Sequence, residues 1–480
     1  MEFLTSFQDT LYPMVCKVNE YLSNYVLLIL LIGMGLYYTI RTRFVQVRCF
    51  GEGMRQVFGN ISLKGGKQGG EMSSFQALAT AVAAQVGTGN IVGACGAILI
   101  GGPGAIFWMW VIAFFGMATI YGEAILAQKT RVVDANGNVQ GGPVYYIRAA
   151  FKGKFGKFLA GFFAVAITLA LGFMGAMVQS NSIAQTSSSA FGVPTWVIGL
   201  VLVVVAGVIF IGGVSRIASV TEKLVPVMAC LYIVGGLIVI ILRIQYIPAT
   251  FALIFKCAFA PQALMGGTFG AALYAAVTQG AKRGLFSNEA GMGSTPHAHA
   301  LANVEEPHKQ GISAMIGVFI DTFVVLTMTA LVVISTLFTG NGPLSTADGI
   351  SLNASTEALT KTNLAQEAFA TLFGGNIANI FIAICLLFFA FSTILGWNLF
   401  AKINFQYLFK KKGTIIFFIL SLIFIFLGSV LSNDLVWELT DMFNNLMVIP
   451  NALALFALGA IVAKSAKDGI AKNKAAKKSK

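Results

Sequence analysis

Apolar runs of membrane-spanning length follow one another along most of the chain. A helix needs about 20 mostly apolar residues to cross a bilayer, and this criterion predicts eleven spans. In chain order they are residues 24–40, 73–100, 103–128, 157–190, 194–213, 216–242, 278–303, 310–338, 376–409, 414–431 and 435–463. The apolar stretch at 246–277 is broken by Pro248, Pro261 and the Gly266-Gly267 pair. It therefore predicts an external element that dips into the membrane.

The composition is that of a membrane protein. Hydrophobic residues make up 57% of the 480 positions, charged residues only 11%, and the mean hydropathy is +0.80. A soluble protein carries about 25% charged residues, so the composition excludes an ordinary globular enzyme, a disordered chain and a nucleic-acid-binding module. The six cysteines lack CxxC spacing and the three histidines lack HExxH spacing. We therefore expect no cofactor and no metal centre of the zinc type.

Basic residues predict the orientation in the membrane. Lys and Arg outnumber Asp and Glu by 32 to 19, which gives a formal net charge of +13. The loop at 41–71 carries six basic residues and the C-terminal tail carries seven, whereas the opposite loops hold few. Cytoplasmic loops are enriched in Lys and Arg, so the N-terminus is predicted outside and the C-terminus in the cytoplasm. The lysine tail either only enforces this topology or also binds anionic lipid.

The spans predict an internal repeat. Setting the first span aside leaves ten, which divide into five plus five, and because five is odd the second half is inverted relative to the first. Inverted repeats are typical of secondary transporters. The predicted fold class is an all-α polytopic membrane protein with a five-plus-five inverted-repeat fold and one extra N-terminal helix. The predicted divisions are the extra helix with a basic cytoplasmic loop at 1–72, the first repeat at 73–243, the external element at 244–277, the second repeat at 278–463 and the basic cytoplasmic tail at 464–480.

Glycine pairs interrupt the leading span of each half at corresponding depth. They are the runs Gly87-Thr88-Gly89 and Gly291-Met292-Gly293. Paired interruptions of this kind point to a transporter's binding site. The alternative is close packing through small residues, but glycines two residues apart lie on different faces of a helix, which favours unwinding. Lys282 and Arg283 precede the second break by about nine residues, or roughly 14 Å of helix, which predicts that they snorkel at the outer interface.

Several polar side chains lie in or near the predicted spans. Carboxylates inside a membrane are functional candidates by default, and here they are Glu123, Glu289, Asp321, Glu438 and Asp441. Glu289 is nearest to a break, where helix-end hydrogen bonding competes with a proton or gating role, and Asp321 is a second candidate for that role. Gln179 is either an interhelical staple or a pocket residue. The depth of Trp397 favours packing or a pocket over an interfacial belt.

Several sequence runs match one known family. GGPGAIFWMWVIAFFG at 101–116 resembles the signature of the sodium:alanine (alanine or glycine:cation) symporters. SSFQALATAVAAQVGTGNIVG at 73–93, GGPVYYI at 141–147, MVQSNSIA at 177–184, KRGLFSNEAGMGSTP at 282–296 and STILGW at 392–397 are also similar to that family. The resemblance runs in order from about Arg41 to Pro450. Ala176 departs from it, because the family often has Asn before Met-Val-Gln.

The resemblance implies a sodium-coupled importer of small neutral amino acids such as alanine and glycine, located in the inner cell membrane and working by alternating access. Its partners would be the amino acid, sodium and membrane lipid, without nucleic acid. The positions that match the family's substrate site are Thr88, Gly89, Gln179, Gly291, Gly293 and Trp397. The resembling fold would hold sodium, and no other metal, between the hydroxyls of Ser392 and Thr393 and carbonyls from Ala84 to Gly87. Hydroxyls in membrane helices more often bond to their own preceding turn.

The chemistry of such a substrate requires broken helices. A zwitterion leaving water needs partners for both of its charges. Amides freed after Thr88 and Gly291 predict an anion site with a favourable helix dipole, and carbonyls that end the preceding half-helices suit the ammonium group and a cation. Sodium prefers hard oxygen ligands. Either the Gln179 amide or the indole N–H of Trp397 is expected to orient the ligand.

Three alternatives are distinguishable. A proton-coupled permease for small amino acids would use Glu289 or Asp321 as its proton carrier and would not depend on sodium. An intramembrane hydrolase would need a nucleophile with a base or a metal triad, and the chain has neither GxSxG nor HExxH. A channel is disfavoured because two broken helices provide one central site without a four-fold filter sequence. We therefore expect a transporter without catalytic residues.

Overall fold

Helices dominate the part of the chain that the computed structural model describes, which is residues 2–59, 72–133, 139–259, 269–346, 349–350, 359–410, 413–431 and 433–478. The helices up to residue 259 are α1 (Glu2–Tyr21), α2 (Leu28–Arg41), α3 (Val45–Arg48), α4 (Phe50–Gly59), α5 (Ser74–Gln85), α6 (Ala94–Gly101), α7 (Gly104–Thr130), α8 (Pro143–Ala150), α9 (Gly153–Ile167), α10 (Ala176–Phe191), α11 (Thr195–Ile211), α12 (Gly213–Leu242) and α13 (Ile247–Phe259). The later helices are α14 (Phe269–Asn288), α15 (Pro296–Leu301), α16 (Pro307–Val318), α17 (Thr327–Val333), α18 (Leu364–Phe373), α19 (Gly375–Phe409), α20 (Thr414–Val430) and α21 (Asn433–Lys478).

Short segments of other types connect these helices. π-helical turns lie at Leu22–Leu27, Gly89–Gly93, Thr168–Gly175, Phe319–Leu326 and Ile334–Phe338, and a 3₁₀ turn lies at Ile244–Tyr246. Two small antiparallel hairpins pair β1 (Val132–Val133) with β2 (Val139–Gln140) and β3 (Ser345–Thr346) with β4 (Gly349–Ile350).

The spans agree in part with the sequence. Within the described residues, seven helical segments are long and apolar enough to cross a bilayer, and the bent pair Ser74–Gln85 and Gly89–Gly101 makes up to eight. The helices in the predicted fifth and tenth spans, α11 and α20, are apolar but shorter. The predicted seventh span is divided between α14 and α15. The all-α polytopic membrane class is confirmed, whereas the count of eleven spans and the inverted repeat stay predictions.

The first predicted break is present. Ser73 begins the span with a capping box, in which its hydroxyl accepts from the N–H of Gln76 and the Gln76 side chain accepts from the N–H of Ser73. The helix stops at Gln85, resumes at Gly89 and bends by 45° between the two parts. The glycine pair therefore marks a real interruption of this span.

The second predicted break is longer. Between the end of α14 and the start of α15, Glu289, Gly291 and Gly293 have φ angles of 57°, 94° and 81°. Left-handed angles carry a steric penalty for residues with a Cβ and none for glycine, so the two glycines lie where the backbone needs them. Unwinding, rather than helix packing, is confirmed for this pair as well.

Helix α19 brings the ninth-span residues to the first break. It packs against α5, α9 and α10. The close approach to α5 needs Gly396, where a Cβ would lie 3.0 Å from the Cβ of Ala84. Ser392, Thr393 and Trp397 are thereby held beside the first break and α10.

Three positions along helix α21 show how far apart different regions of the bundle lie. Asp441 lies near its start, Asn451 contacts the second break, and Asn473 lies in its last turns. At 1.5 Å per residue, Asp441 is about 15 Å before Asn451 and Asn473 is about 33 Å after it. These two residues define the Asp441 end and the Asn473 end of the bundle.

Two element boundaries differ from the predicted ones. Helix α14 begins at Phe269, so residues 269–277 belong to the broken helix and not to the external element predicted at 244–277. This segment contains no proline that would end a helix. The predicted tail from 464 is a continuation of α21 to Lys478, because it is rich in Ala and Lys, which favour helix. The division into repeats and the membrane dip of α13 stay predictions.

Candidate functional site

Gln179 on α10 binds the first break directly. The backbone N–H of Thr88 donates to Oε1 of Gln179 at 3.1 Å, and the Thr88 hydroxyl donates to the same oxygen at 2.5 Å. Gly87 permits this approach, because a Cβ there would lie 2.3 Å from Oγ1 of Thr393 and 3.3 Å from Oε1 of Gln179. Four residues that the sequence singled out, Gly87, Thr88, Gln179 and Thr393, thus lie together at the first break.

Two hydroxyls of α19 face the carbonyl end of α5. Thr393 donates to the carbonyl oxygen of Ala83 at 2.9 Å, and Ser392 lies 3.3 Å from the same oxygen. Both hydroxyls also contact the Phe389 carbonyl of their own helix, at 3.1 Å and 2.8 Å. The contacted carbonyl is one residue before Ala84, where the predicted cage begins. The oxygens gathered here are of the hard type that sodium prefers.

Trp397 binds the second break. Its indole N–H donates to the carboxylate of Glu289, and the Ser294 hydroxyl donates to the other oxygen of that carboxylate at 2.5 Å. Phe286 lies edge-on to the indole with ring centroids 5.8 Å apart. A Cβ on Gly175 would lie 2.4 Å from the ring. The indole N–H is therefore engaged by Glu289 in this conformation. It is not free to orient a ligand, which is the role that the sequence suggested for either this N–H or the Gln179 amide.

The amides of the second break already have an acceptor. The N–H groups of Gly291 and Gly293 each donate to the carboxylate of Glu123 at 3.0 Å. Asn451 donates to the same carboxylate at 2.7 Å and to the Gly291 carbonyl at 2.8 Å. The expectation of free amides after Gly291 is wrong for this conformation, because buried N–H groups need an acceptor and Glu123 on α7 provides one.

The sequence alone does not reveal the role of Glu123. The sequence marked it only as a carboxylate inside a span, and its partners lie at least 168 positions away along the chain. The signal that was available is its isolation in an apolar helix, since a buried carboxylate requires donors. Two amides and one side-chain amide provide them.

Asp321 connects the two broken helices. Its carboxylate accepts from the side-chain amide of Asn90 at 2.7 Å, the hydroxyl of Ser287 at 2.9 Å and the hydroxyl of Thr322 at 2.8 Å. Asn90 follows the first break and Ser287 precedes the second. Asp321 thus fixes the relative position of the helices on either side of the candidate site.

Rings and charges cover the site towards the Asp441 end. Phe286 packs on Trp437 with centroids 4.8 Å apart, and the guanidinium of Arg283 lies 4.6 Å from the Trp437 ring. Arg283 also pairs with Asp441 at 3.2 Å, and Lys282 with Asp441 at 2.8 Å. The predicted snorkelling is therefore wrong for Arg283, which is only 4% exposed because Asp441 gives it a partner inside the protein.

The opposite side is covered by histidine and tyrosine. His297 stacks between Phe163 and Phe400, with centroid distances of 6.4 Å and 5.7 Å. The hydroxyl of Tyr146 donates to Asn451 at 2.5 Å. Thr88, Gln179, Glu289 and Trp397 are at most 1% exposed, so the candidate site is closed to solvent.

The sequence comparisons identify the chain. The model of the sodium:alanine symporter family matches residues 8–480. The chain belongs to this family. It is 39% identical over 465 residues to a sodium/alanine symporter of Methanococcus maripaludis, which covers 96% of this chain and 98% of that protein. It is also 39% identical over 471 residues to a probable sodium/glutamine symporter of Bacillus subtilis, covering 98% of this chain and 93% of that protein.

Membership of the sodium:alanine symporter family makes this chain a secondary amino-acid transporter and not an enzyme. Its fold is similar to that of MhsT, solved in complex with L-phenylalanine, with a TM-score of 0.56 over 83% of this chain and 98% of that one. The sequence identity of this pair is 14%, so the likeness concerns the fold alone.

Proposed function

We propose that this chain imports a small neutral amino acid, alanine or glycine, together with sodium, by alternating access. The observation that carries the proposal is the contact of Gln179 with Thr88, next to Thr393. This contact brings the polar side chain of Gln179, the unwound backbone at Thr88 and the hydroxyl and carbonyl oxygens around Thr393 together in one buried place. The residues proposed to form the substrate site are Thr88, Gly89, Gln179, Gly291, Gly293 and Trp397.

Sodium would bind where Ser392 and Thr393 face α5. Each hydroxyl can donate its hydrogen bond to the Phe389 carbonyl of its own helix and turn its lone pairs towards the cation. The Ala83 carbonyl would then lose its hydrogen-bond donor and coordinate the cation instead. Ala84 and Gly87 are the further backbone positions of the proposed cage. This arrangement uses neutral oxygen ligands, so the ion adds its own charge to the site next to the substrate carboxylate.

The closed site supports an occluded state. Small size is favoured because the Trp397 indole fills space beside the breaks, where the absence of a side chain on Gly175 leaves room for the ring. We place the Asn473 end in the cytoplasm, since it carries the basic tail, and the N-terminus outside the inner cell membrane. Opening to the outside would then separate Arg283 from Asp441.

A proton-coupled permease is the second candidate. Glu123, Glu289 and Asp321 are each 0% exposed, and within the described residues none of them takes part in an ion pair. A buried carboxylate without a cation is a group on which a transported proton can rest. In this alternative Glu289 or Asp321 carries the proton and sodium is not needed.

Uptake into proteoliposomes decides between the two. The purified protein is reconstituted and given an inward sodium gradient, or a proton gradient with sodium replaced by potassium, and labelled alanine, glycine and glutamine are compared. Sodium-driven uptake of alanine or glycine is expected. Uptake that needs only the proton gradient would support the permease, and uptake of glutamine alone would refute a site for small side chains.

A variant ties the activity to the site. Gly89→Leu should lose substrate binding, because even a Cβ added at Gly89 would lie 3.0 Å from Cα of Ser287, and a leucine side chain extends beyond it. Gly161→Leu is the matched control, since no heavy atom lies within 4 Å of a Cβ there. Equal binding by both variants would remove the first break from the substrate site.

A further inference from the structure

Three side chains with metal-binding atoms meet at the Asn473 end, away from the substrate site. Cys49 lies directly before α4, Glu52 lies in the first turn of α4, and His308 lies in the first turn of α16. One ligand atom of each lies within 4.8 Å of the others. Cys49 and His308 are 3% and 2% exposed, whereas the Glu52 side chain is 26% exposed.

The imidazole of His308 has one occupied and one unoccupied nitrogen. Nδ1 lies 2.6 Å from the hydroxyl of Tyr121. Nε2 is buried without a hydrogen-bond partner and lies 3.8 Å from the carboxylate of Glu52, too far for a hydrogen bond in either tautomer. If Nδ1 carries the proton and donates it to Tyr121, the lone pair of Nε2 points at a carboxylate. A cation between the two would satisfy both.

We infer that Cys49, Glu52 and His308 bind one Zn²⁺ ion or a similar divalent transition-metal ion, with a fourth position open to water. Thiolate, imidazole and carboxylate are the three ligand types that zinc takes in proteins. Thiolate and imidazole select against sodium, calcium and magnesium, which prefer oxygen. Three protein ligands with one open position is the arrangement of an accessible zinc site rather than of a closed structural one.

The geometry needs only a small adjustment. Zinc bonds are about 2.0–2.3 Å long, which places tetrahedral ligand atoms about 3.3–3.8 Å apart. The present separations of up to 4.8 Å close by about 1 Å. Glu52 can move, because it is the half-exposed member of the group. The Tyr121 oxygen would accept a hydrogen bond from Nδ1–H and orient the ring, as the partners of metal-bound histidines usually do.

An entry path and a cover are present. Glu52 lines a cavity of about 730 Å³ together with Arg55, Ser74 and Lys309. On the other side α21 closes over the group: Asn473 donates to the Glu52 carboxylate, and a Cβ at Gly469 would lie 2.4 Å from the imidazole. A bound ion would therefore join α4 to α16 underneath the C-terminal helix.

The test uses the full-length protein, purified in detergent and stripped with a chelator. Co²⁺ titration should give binding of one ion with a thiolate-to-metal charge-transfer band, and Zn²⁺ should compete for the site and raise the melting temperature. Cys49→Ser should abolish the band. His308→Gln keeps the Cys49 thiolate but removes one metal ligand. Binding should weaken at least about tenfold, because loss of a residue that only orients a ligand already weakens metal affinity by about that much.

The control is Cys230→Ser, which removes an exposed cysteine from α12 and should bind Co²⁺ as the wild type does. Absence of the charge-transfer band in the wild-type protein would overturn the inference without any variant. So would Co²⁺ binding to Cys49→Ser with wild-type affinity and an unchanged spectrum. If Cys49→Ser does not fold, unchanged affinity in His308→Gln overturns it instead.

Discussion

The indole N–H of Trp397 donates to the carboxylate of Glu289, which joins α19 to the unwound part of the second broken helix. Glu289 has a left-handed backbone with φ of 57°, a conformation that costs energy for a residue with a Cβ. Its other carboxylate oxygen accepts from Ser294. Trp397 therefore helps to hold the second break in its shape, in addition to filling space beside the site.

Replacing Trp397 by Phe tests this bond. A ring remains, but Glu289 loses a donor, and a hydrogen bond to a charged group is worth about 1.5–3 kcal/mol. If that loss falls on the binding-competent state, alanine binds about 10–150-fold more weakly. Equilibrium binding of labelled alanine measures it, with Trp196→Phe as control, because Trp196 is 55% exposed on α11. Unchanged affinity in Trp397→Phe would show that the bond does not shape the site.

Size selection should change when the indole is removed or displaced. Trp397→Ala opens room next to the breaks, so alanine should bind more weakly and leucine should gain affinity, at about 0.8 kcal/mol per buried methylene. Gly175→Ala pushes a methyl group against the indole and should weaken alanine binding without admitting leucine. Gly161→Ala on α9 is the control. Leucine that still fails to bind to Trp397→Ala, with alanine unaffected, would make Trp397 a packing residue only.

The sequence predicted the elements that follow from local chemistry. Both breaks could be predicted from glycines two residues apart, because such glycines lie on different faces of a helix and cannot form one packing surface. Gln179, Thr393 and Trp397 were found through the family resemblance, and each lies against a break.

Partnerships between distant segments were not readable. Glu123 accepts from the second break, and Arg283 turns inward to Asp441, because folding brings α7, α14 and α21 together. A carboxylate or guanidinium in an apolar span indicates that a partner is needed, but the residues next to it in the sequence do not identify that partner. The start of α14 was misplaced because residues 269–277 are as apolar as the stretch before them, so they were assigned to the external element together with the prolines and the glycine pair that precede them.

Removing the carboxylate of Glu123 should disrupt the second break. Glu123→Ala leaves the amides of Gly291 and Gly293 without their acceptor, and each unsatisfied buried group costs about 1–3 kcal/mol. We expect a lower melting temperature and a loss of alanine binding. Glu123→Gln keeps one acceptor oxygen and should lie between Ala and wild type in both measurements. A Glu123→Ala variant as stable as wild type would mean that the amides find another acceptor.

Thr393 should matter for sodium more than for the amino acid. Thr393→Ala removes a hydroxyl that faces the Ala83 carbonyl, so the sodium concentration for half-maximal uptake should rise, while alanine affinity at saturating sodium changes little. The two ligands share one coupling free energy, so alanine affinity must be measured at both low and saturating sodium. Thr186→Ala is the matched control, because the Thr186 hydroxyl bonds within its own helix to Ser182. Gly87→Ala provides a second approach, since its Cβ would lie 2.3 Å from the Thr393 hydroxyl and should displace it. If both variants keep the wild-type sodium dependence, the cation binds elsewhere in the bundle, and the hydroxyls of α19 serve only to fasten it to α5.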